Sequence, residues 1–150
     1  MAVRIILLSF VVLSILSLFN AELLSDSAGL ISSSTITWYT GEDLLRPFCA
    51  DKSGWTPTDN SMIVAVTEQW GDRPKCGDFY QLIAPNQKSV TVRVVDLCGG
   101  CAPGVPHADL SKAAFTQLYG LDVGMMSGIN MKKVAAPSNW NNELYGPKDL

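Results

Sequence analysis

The chain has 150 residues, with 11 Lys and Arg against 14 Asp and Glu and a single histidine, so its formal net charge at pH 7 is −3. An acidic chain without a cluster of Lys and Arg cannot neutralise a phosphate backbone, and we expect no nucleic-acid partner. The length provides for one domain, and one histidine with a single C-x-x-C spacing does not complete a zinc site.

The first 21 residues predict a secretory signal peptide. Arg4 is followed by an uncharged run of aliphatic, aromatic and Ser residues that reaches Phe19, and Ala21 is a small residue suited to cleavage, as are Ser27 and Ala28. A membrane anchor is the alternative, but no basic stop-transfer cluster follows the run. We therefore expect a secreted, extracellular protein without membrane association after processing. Loss of Arg4 leaves ten basic against fourteen acidic residues, a net charge of about −4.

The next segments alternate between flexible and strand-forming composition. Residues 22–34 have no periodicity and include a Ser-Ser-Ser run, which is typical of a flexible leader. Short runs of β-branched and aromatic residues, bounded by Gly, Pro, Asn and Asp, then predict five strands. These runs are residues 36–39, 62–67, 79–83, 89–95 and 129–134. Residues 85–88 form the predicted turn of a hairpin between the third and fourth runs.

One segment has a helical period. Between residues 109 and 119, apolar side chains recur at positions 110, 113, 114, 118 and 119, and Gly120 follows. This spacing predicts a short amphipathic helix, with Asp109 or Ser111 at its N-cap.

The composition changes again after residue 134. Residues 135–150 contain two prolines, three asparagines and a glycine, which indicates an extended or disordered C-terminal tail. Trp140 and Tyr145 lie in this tail, where they either dock on the domain or remain solvated. The folded domain is therefore predicted to span residues 35–134.

The four cysteines are most simply two disulfides in a small secreted protein. They are Cys49, Cys76, Cys98 and Cys101, and three pairings are open. The Cys98-Gly-Gly-Cys101 spacing also matches half of a zinc site or a redox-active dithiol, but a second C-x-x-C or a His pair is missing. Structural disulfides are therefore the favoured interpretation.

Several short motifs occur in the order and spacing of a known family. They are Thr37-Trp38-Tyr39, Cys76-Gly77, Val94-Val95-Asp96-Leu97-Cys98, His107-Ala108-Asp109-Leu110-Ser111 and Ala114-Phe115. Together they resemble the signature of expansin-like double-psi β-barrels, a group that includes barwin, rare lipoprotein A and small fungal loosenin-type proteins. The resemblance implies a mainly β fold: a six-stranded double-psi β-barrel with one or two short helices, braced by disulfides.

The resemblance also implies a shallow polysaccharide-binding groove. Asp109 matches the family's proton-donor position, and Asp96 matches a groove aspartate at the end of the preceding strand. Thr37 matches a groove threonine, and Trp38 and Tyr39 match aromatic positions near it. Glycoside chemistry fits this arrangement, because a glycosidase flanks one bond with two carboxyl groups about 5 to 9.5 Å apart. The structural alternatives are an N-cap role for Asp109 and a turn role for Asp96.

The disulfide pairing follows from the same resemblance. Barwin-type proteins imply bonds from Cys49 to Cys98 and from Cys76 to Cys101. A crosslink that closes roughly 50 residues also adds about 4 kcal/mol in the chain-entropy model, more than a bond from Cys98 to Cys101 would add. We therefore predict the two long pairings.

These observations predict a secreted, expansin-like protein that binds cell-wall polysaccharide (cellulose, chitin or peptidoglycan) and loosens glycan contacts without hydrolysis. No metal or other cofactor is expected, and a monomer is expected. A weak glycosidase or lytic transglycosylase is the enzymatic alternative. A different alternative is a protein-binding scaffold, such as a protease inhibitor or a secreted defence or effector protein, which would use the long loop of residues 41–61 and an exposed Trp55.

Overall fold

The computed structural model describes residues 29–50 and 52–150, so the predicted signal peptide and most of the predicted leader lie outside the described residues. The strands are β1 (Leu30–Tyr39), β2 (Ile63–Thr67), β3 (Phe79–Ile83), β4 (Ser89–Cys98), β5 (His107–Ser111) and β6 (Met126–Val134). They form a closed barrel in the order β1-β5-β2-β4-β3-β6. The predicted mainly β, six-stranded barrel is confirmed.

Both parallel and antiparallel pairs build the barrel. β1 runs parallel to β5, and β2 runs parallel to β4, whereas β2 with β5, β3 with β4, and β3 with β6 are antiparallel. The predicted hairpin is present between β3 and β4, where the N–H of Ala84 donates to the carbonyl of Lys88 at 2.9 Å. The two parallel pairs, joined by the antiparallel pair of β5 with β2, bring β1, β5, β2 and β4 side by side although they are far apart in sequence.

Alternating side chains give the strands two apolar faces. The inner face forms the main core, with large, fully buried residues that include Ile36, Val64, Val66, Leu82, Val92, Val94, Leu110, Phe115, Ile129 and Met131. A smaller cluster packs on the other face of the same strands and consists of Tyr39, Leu44, Ile63, Ala65 and Val95. Because successive side chains of a strand face opposite sides, β2 contributes to both clusters.

The segment predicted as one helix is divided between a strand and a shorter helix. β5 continues to Ser111, and helix α1 covers only Lys112–Thr116. Ser111 is the N-cap, and its hydroxyl accepts from the N–H of Ala114 at 3.4 Å. The predicted helix was wrong at Asp109, because β5 pairs with β1 on one side and β2 on the other, and this pairing outweighs the local helical period.

Two strands are longer at their beginnings than predicted. β1 begins at Leu30, so the last residues assigned to the predicted leader are in strand conformation, and β6 begins at Met126. Residues Ile31–Leu150 form one compact unit. In the part of the chain that the structure describes, no helix is long and apolar enough to cross a membrane.

The C-terminal segment, residues 140–150, folds onto the barrel. It contains a second short helix, α2 (Asn142–Tyr145), so the expectation of an extended or disordered end was wrong there. The rings of Trp140 and Tyr145 meet the ring of Phe79 edge to face, with centroids 5.7 and 5.3 Å away. Of the two alternatives for these aromatic residues, docking is therefore the one observed.

Arg93 holds this segment to β4. Its side chain is on the opposite strand face from the valines, as the alternation predicts, but it is only 3% exposed because the C-terminal segment covers it. The guanidinium donates to the carbonyl oxygens of Tyr145 at 2.9 Å, Pro147, and Lys148 at 2.8 Å. It also lies 4.9 Å from the ring centroid of Trp140, within the range of a cation–π contact.

The disulfide pairing differs from the predicted one. The bonds join Cys49 to Cys76 and Cys98 to Cys101, with Cα separations of 5.5 and 5.4 Å, both in the range that a disulfide spans. The predicted pairs, Cys49–Cys98 and Cys76–Cys101, were wrong. Loop-closure entropy measures the stability that a bond adds and does not decide which cysteines the fold brings together.

Candidate functional site

Four residues form a row across the outer face of four neighbouring strands. Thr37 lies opposite Asp109, Asp109 opposite Ala65, and Ala65 opposite Asp96. Residues opposite one another on paired strands project to the same face, so both aspartates leave the barrel on one side. Ala65 between them has only a methyl side chain, and it leaves a shallow floor. The structure thus brings Thr37, Asp96 and Asp109 together.

A β-bulge directs Asp96 to this face. Val64 pairs with Val94, but the next residue, Ala65, pairs with Asp96, so Val95 is an extra residue on β4. Val94 belongs to the inner core and Val95 to the outer cluster. Strict alternation would then return Asp96 to the barrel interior, whereas the bulge places two successive residues on the outer face.

Asp96 and Asp109 line the same open cleft of about 420 Å³, whose other lining residues are Tyr39, Asp43, Arg46, Ala65, Leu97, Cys98, Gly99 and Gly100. A second cleft of about 430 Å³ shares Cys98, Gly100 and Asp109 with the first and continues to Thr37, Cys101, Ala102, His107 and Met125. We call the two clefts together the groove. The sequence reasoning missed Asp43 and Arg46, whose signal was a pair of charged residues soon after the end of β1, and it included His107 only as part of a motif, without a role in the groove.

A short hydrogen-bonded chain orients Asp109. The hydroxyl of Thr37 donates to the Oδ1 atom of Asp109 at 2.6 Å, and the Oγ1 atom of Thr37 lies 2.8 Å from Nε2 of His107. Because the hydroxyl has only one proton to give, Nε2 of His107 must carry the proton that it donates to Thr37. Burial lowers the pKa of His107 and so favours the neutral ring, in which that nitrogen is the sole N–H donor.

Both groove aspartates hold protons more tightly than free aspartic acid. Burial raises the pKa of Asp109. The hydrogen bond from Thr37 lowers this pKa in part, and the nearby charges of Asp43 and Asp96 raise it further. Burial also raises the pKa of Asp96. The backbone N–H groups of Phe48 and Leu97, each 2.8 Å from Oδ1, donate hydrogen bonds that lower it in part. Within residues 29–50 and 52–150, no three His, Cys, Asp or Glu side chains are placed to hold a metal ion together.

Tyr39 lies in the cleft with an unused hydroxyl. The residue is 9% exposed, and its buried hydroxyl has no hydrogen-bond partner. Burial raises its pKa, and the carboxylates of Asp96, Asp109 and Asp43 raise it further, so the phenol stays protonated. The structure therefore places Tyr39 beside the two aspartates, as the motif resemblance implied.

Trp38 faces away from the groove. On β1 its side chain is on the same face as Ile36, and it packs against the main core. Its Nε1 atom donates to the carbonyl of Leu121 at 3.1 Å, and Nζ of Lys112 lies 5.6 Å from the ring centroid. The prediction of Trp38 as a groove residue was wrong, because neighbouring positions of a strand face opposite sides.

Replacing Asp109 by Asn should not destabilise the protein at pH 7. Between the ordinary pKa of 3.8 and the raised value, the folded protein binds more protons than the unfolded chain, so its stability falls as pH rises through this window. Asn has no charge to bury, and its side-chain oxygen still accepts from Thr37. We expect the variant's free energy of unfolding, from urea titrations, to equal or exceed the parent's at pH 7, with any excess shrinking as the pH falls through the raised pKa of Asp109 towards about 4. A variant less stable than the parent at pH 7 would contradict the raised pKa.

The closed six-stranded barrel with mixed parallel and antiparallel pairing is a double-psi β-barrel, like that of its expansin structural neighbours. No protein-family model matches the chain. The chain is similar to Expansin-like protein 3 of Dictyostelium discoideum, with 29% identity over 140 residues, which cover 90% of this chain and 42% of that protein. The chain thus spans less than half the length of this relative.

Solved structures show the same similarity. A mutant Clavibacter michiganensis expansin in complex with cellohexaose is 28% identical with a TM-score of 0.54, over 72% of this chain and 52% of that one. The Streptomyces papain inhibitor is 29% identical with a TM-score of 0.54, over 71% of this chain and 94% of that one. The chain is thus similar to expansin-like proteins in both sequence and structure, which confirms the resemblance seen in its motifs.

Proposed function

We propose that the protein is secreted, binds cell-wall polysaccharide in the groove and loosens contacts between glycan chains without hydrolysing them. The observation that carries this proposal is the row in which Asp109 and Asp96 flank Ala65 on one open face. The complex of a similar expansin with cellohexaose supports a sugar polymer as the ligand. Cellulose, chitin and peptidoglycan are the candidate polymers, and the predicted signal peptide supports an extracellular location.

The groove suits the hydroxyl groups of sugars. A carboxyl group accepts hydrogen bonds, and when protonated it also donates one, so Asp96 and Asp109 can bind either end of a hydroxyl dipole. The unpaired hydroxyl of Tyr39, which is buried beside the cleft, is a third polar group next to the two carboxyl groups. Gly100 has open space where a side chain would stand, which leaves its backbone accessible to a bulky polymer.

The directions of their pKa shifts do not divide the two aspartates into an acid and a base. A glycosidase needs one protonated and one ionised carboxyl group, in environments that push the two pKa values apart. Burial instead raises the pKa of both Asp96 and Asp109. A weak glycosidase or lytic transglycosylase would have to use Asp43, the exposed third carboxylate of the cleft, to activate water.

Retention on insoluble cellulose, chitin and peptidoglycan tests the proposal. We expect Asp109→Asn to reduce retention at least tenfold on the polymer that binds the parent, because the variant loses a carboxyl group aimed into the groove. Glu143→Gln, which changes the charge equally on exposed α2, should bind like the parent. Fibre dispersion, measured by light scattering, should follow retention, with released reducing sugar at background. Equal retention by Asp109→Asn refutes the groove, and sugar release by the parent indicates a hydrolase.

A protein-binding scaffold is the second candidate. The side chains of Leu45 and Phe48 are 55% and 60% exposed and border a cavity of about 640 Å³ that adjoins the groove at Arg46. Trp55, predicted as the exposed recognition residue of this loop, is instead half-buried against the outer cluster. Similarity to the papain inhibitor supports this candidate. Papain inhibition by the parent that is lost in Phe48→Ser but kept in Asp109→Asn would favour the scaffold. Absence of papain inhibition by the parent would rule out this candidate.

A further inference from the structure

The groove carries an excess of acidic groups. Asp43, Asp96 and Asp109 line its first cleft, and Arg46 is the cation among the described lining residues. A fourth carboxylate borders the same wall, because Oε2 of Glu68 lies 3.6 Å from the position that a Cβ atom on Gly99 would occupy. A ligand in this cleft therefore meets a field that favours positive charge.

The hydrogen-bond partners of the two half-buried carboxyl groups, those of Asp96 and Asp109, within the protein are neutral. Asp109 accepts from the hydroxyl of Thr37, and Asp96 accepts from the backbone N–H groups of Phe48 and Leu97. Neutral donors stabilise a carboxylate less than a cation does. Each carboxyl group also keeps an oxygen atom outside these bonds, which leaves acceptors for a ligand.

Tyr39 gives independent evidence that the cleft receives a polar group. Its hydroxyl is buried at the cleft and has no hydrogen-bond partner, although buried polar atoms are almost always paired. The phenol oxygen is an acceptor, so an N–H or O–H group of a ligand would satisfy it. An ammonium group between Tyr39 and the carboxylates would satisfy this oxygen and the local charge at once.

We propose that the groove selects glycans that carry free primary amines, that is, partially deacetylated chitin, over neutral glycans and over polymers of uronic acids. This inference rests on the proposed function, because it requires that the groove binds glycan. A protonated amine forms charge-assisted hydrogen bonds with Asp43, Asp96 or Asp109, whereas an N-acetyl group or a hydroxyl forms only neutral ones. The partly desolvated cleft strengthens the ionic contact relative to water.

Calorimetric titration with hexasaccharides of equal length tests the selectivity. The probes are the hexamers of glucosamine, N-acetylglucosamine, glucose and galacturonic acid, at about pH 6, where primary amines are protonated. We expect the glucosamine hexamer to bind at least fivefold more tightly than the two neutral hexamers, with no binding of the galacturonic acid hexamer. The ratio of the affinity for the glucosamine hexamer to that for a neutral hexamer should fall towards one in Asp43→Asn. It should also fall in concentrated salt, which screens exposed charges. Glu143→Gln, with the same change in net charge outside the groove lining, should keep the full preference.

The outcomes separate this inference from the proposed function. Equal affinity for the glucosamine hexamer and a neutral hexamer overturns the amine preference and leaves glycan binding intact. Failure of every hexamer to bind, together with no retention on the insoluble polymers, overturns both. A linear polyamine that competes as well as the glucosamine hexamer, or an equal loss in Glu143→Gln and Asp43→Asn, shows that net charge alone acts, and this also overturns the preference.

Discussion

Arg93→Ala should lower the free energy of unfolding by about 3 kcal/mol and release the C-terminal segment from the barrel. The guanidinium is buried and donates to three carbonyl groups of residues 145–148. Each hydrogen bond to a charged group contributes roughly 1.5 to 3 kcal/mol, but the freed carbonyl groups regain water when the segment detaches, so the loss is smaller than the sum. Detachment also uncovers Phe79, which packs against Trp140 and Tyr145.

Urea unfolding followed by circular dichroism, combined with limited proteolysis of the C-terminal segment, measures both effects. Arg93→Lys should recover less than half of the loss, because an ammonium group cannot reproduce the fork that serves three carbonyl oxygens. Arg73→Ala is the matched control: it removes an exposed arginine that donates to one carbonyl, that of Glu68. An Arg93→Ala variant that is as stable as Arg73→Ala and equally resistant to proteolysis would contradict this role of Arg93.

The strands that sequence reasoning located best are those with a strong local pattern. β3 was predicted at its exact bounds, and β2 was predicted from one residue too early, because each is a dense run of β-branched, aromatic or aliphatic residues. β5 was missed because its five residues contain only two apolar side chains, Ala108 and Leu110. Its strand conformation depends on β1 and β2, which supply hydrogen bonds on both sides and lie far away in sequence.

The groove was predictable only in part. The family motif identified Thr37, Asp96 and Asp109, but alternation along β4 alone would have sent Asp96 into the core, since the bulge at Val95 depends on pairing with β2. The motif also assigned both Trp38 and Tyr39 to the groove, but neighbouring residues of β1 face opposite sides, and Trp38 is the one that packs against the main core. Loop residues such as Asp43 have no periodic signal, so only the folded backbone shows that they reach the groove.

Removal of the two disulfides should have different consequences. The Cys49–Cys76 bond has a sequence separation of 27, and the chain-entropy model assigns about 3.5 kcal/mol to a loop of this length. The Cys98–Cys101 bond has a sequence separation of 3, for which the same model gives about 2 kcal/mol. We therefore expect Cys49→Ala with Cys76→Ala to lower the melting temperature by on the order of 10 °C, and the other pair to lower it by about half as much.

Polysaccharide binding should show the reverse order. Cys98 lines both clefts and Cys101 lines the second, so their bond fixes the turn at Gly99 and Gly100 that forms a wall of the groove. Without the bond, the two glycines add conformational freedom that binding must then remove. Cys98→Ala with Cys101→Ala should therefore reduce retention at least fivefold at a temperature where both double variants are folded, while Cys49→Ala with Cys76→Ala retains most of its binding. If the Cys98 and Cys101 double variant binds like the parent, the bond stabilises the fold only, and the groove keeps its shape without it.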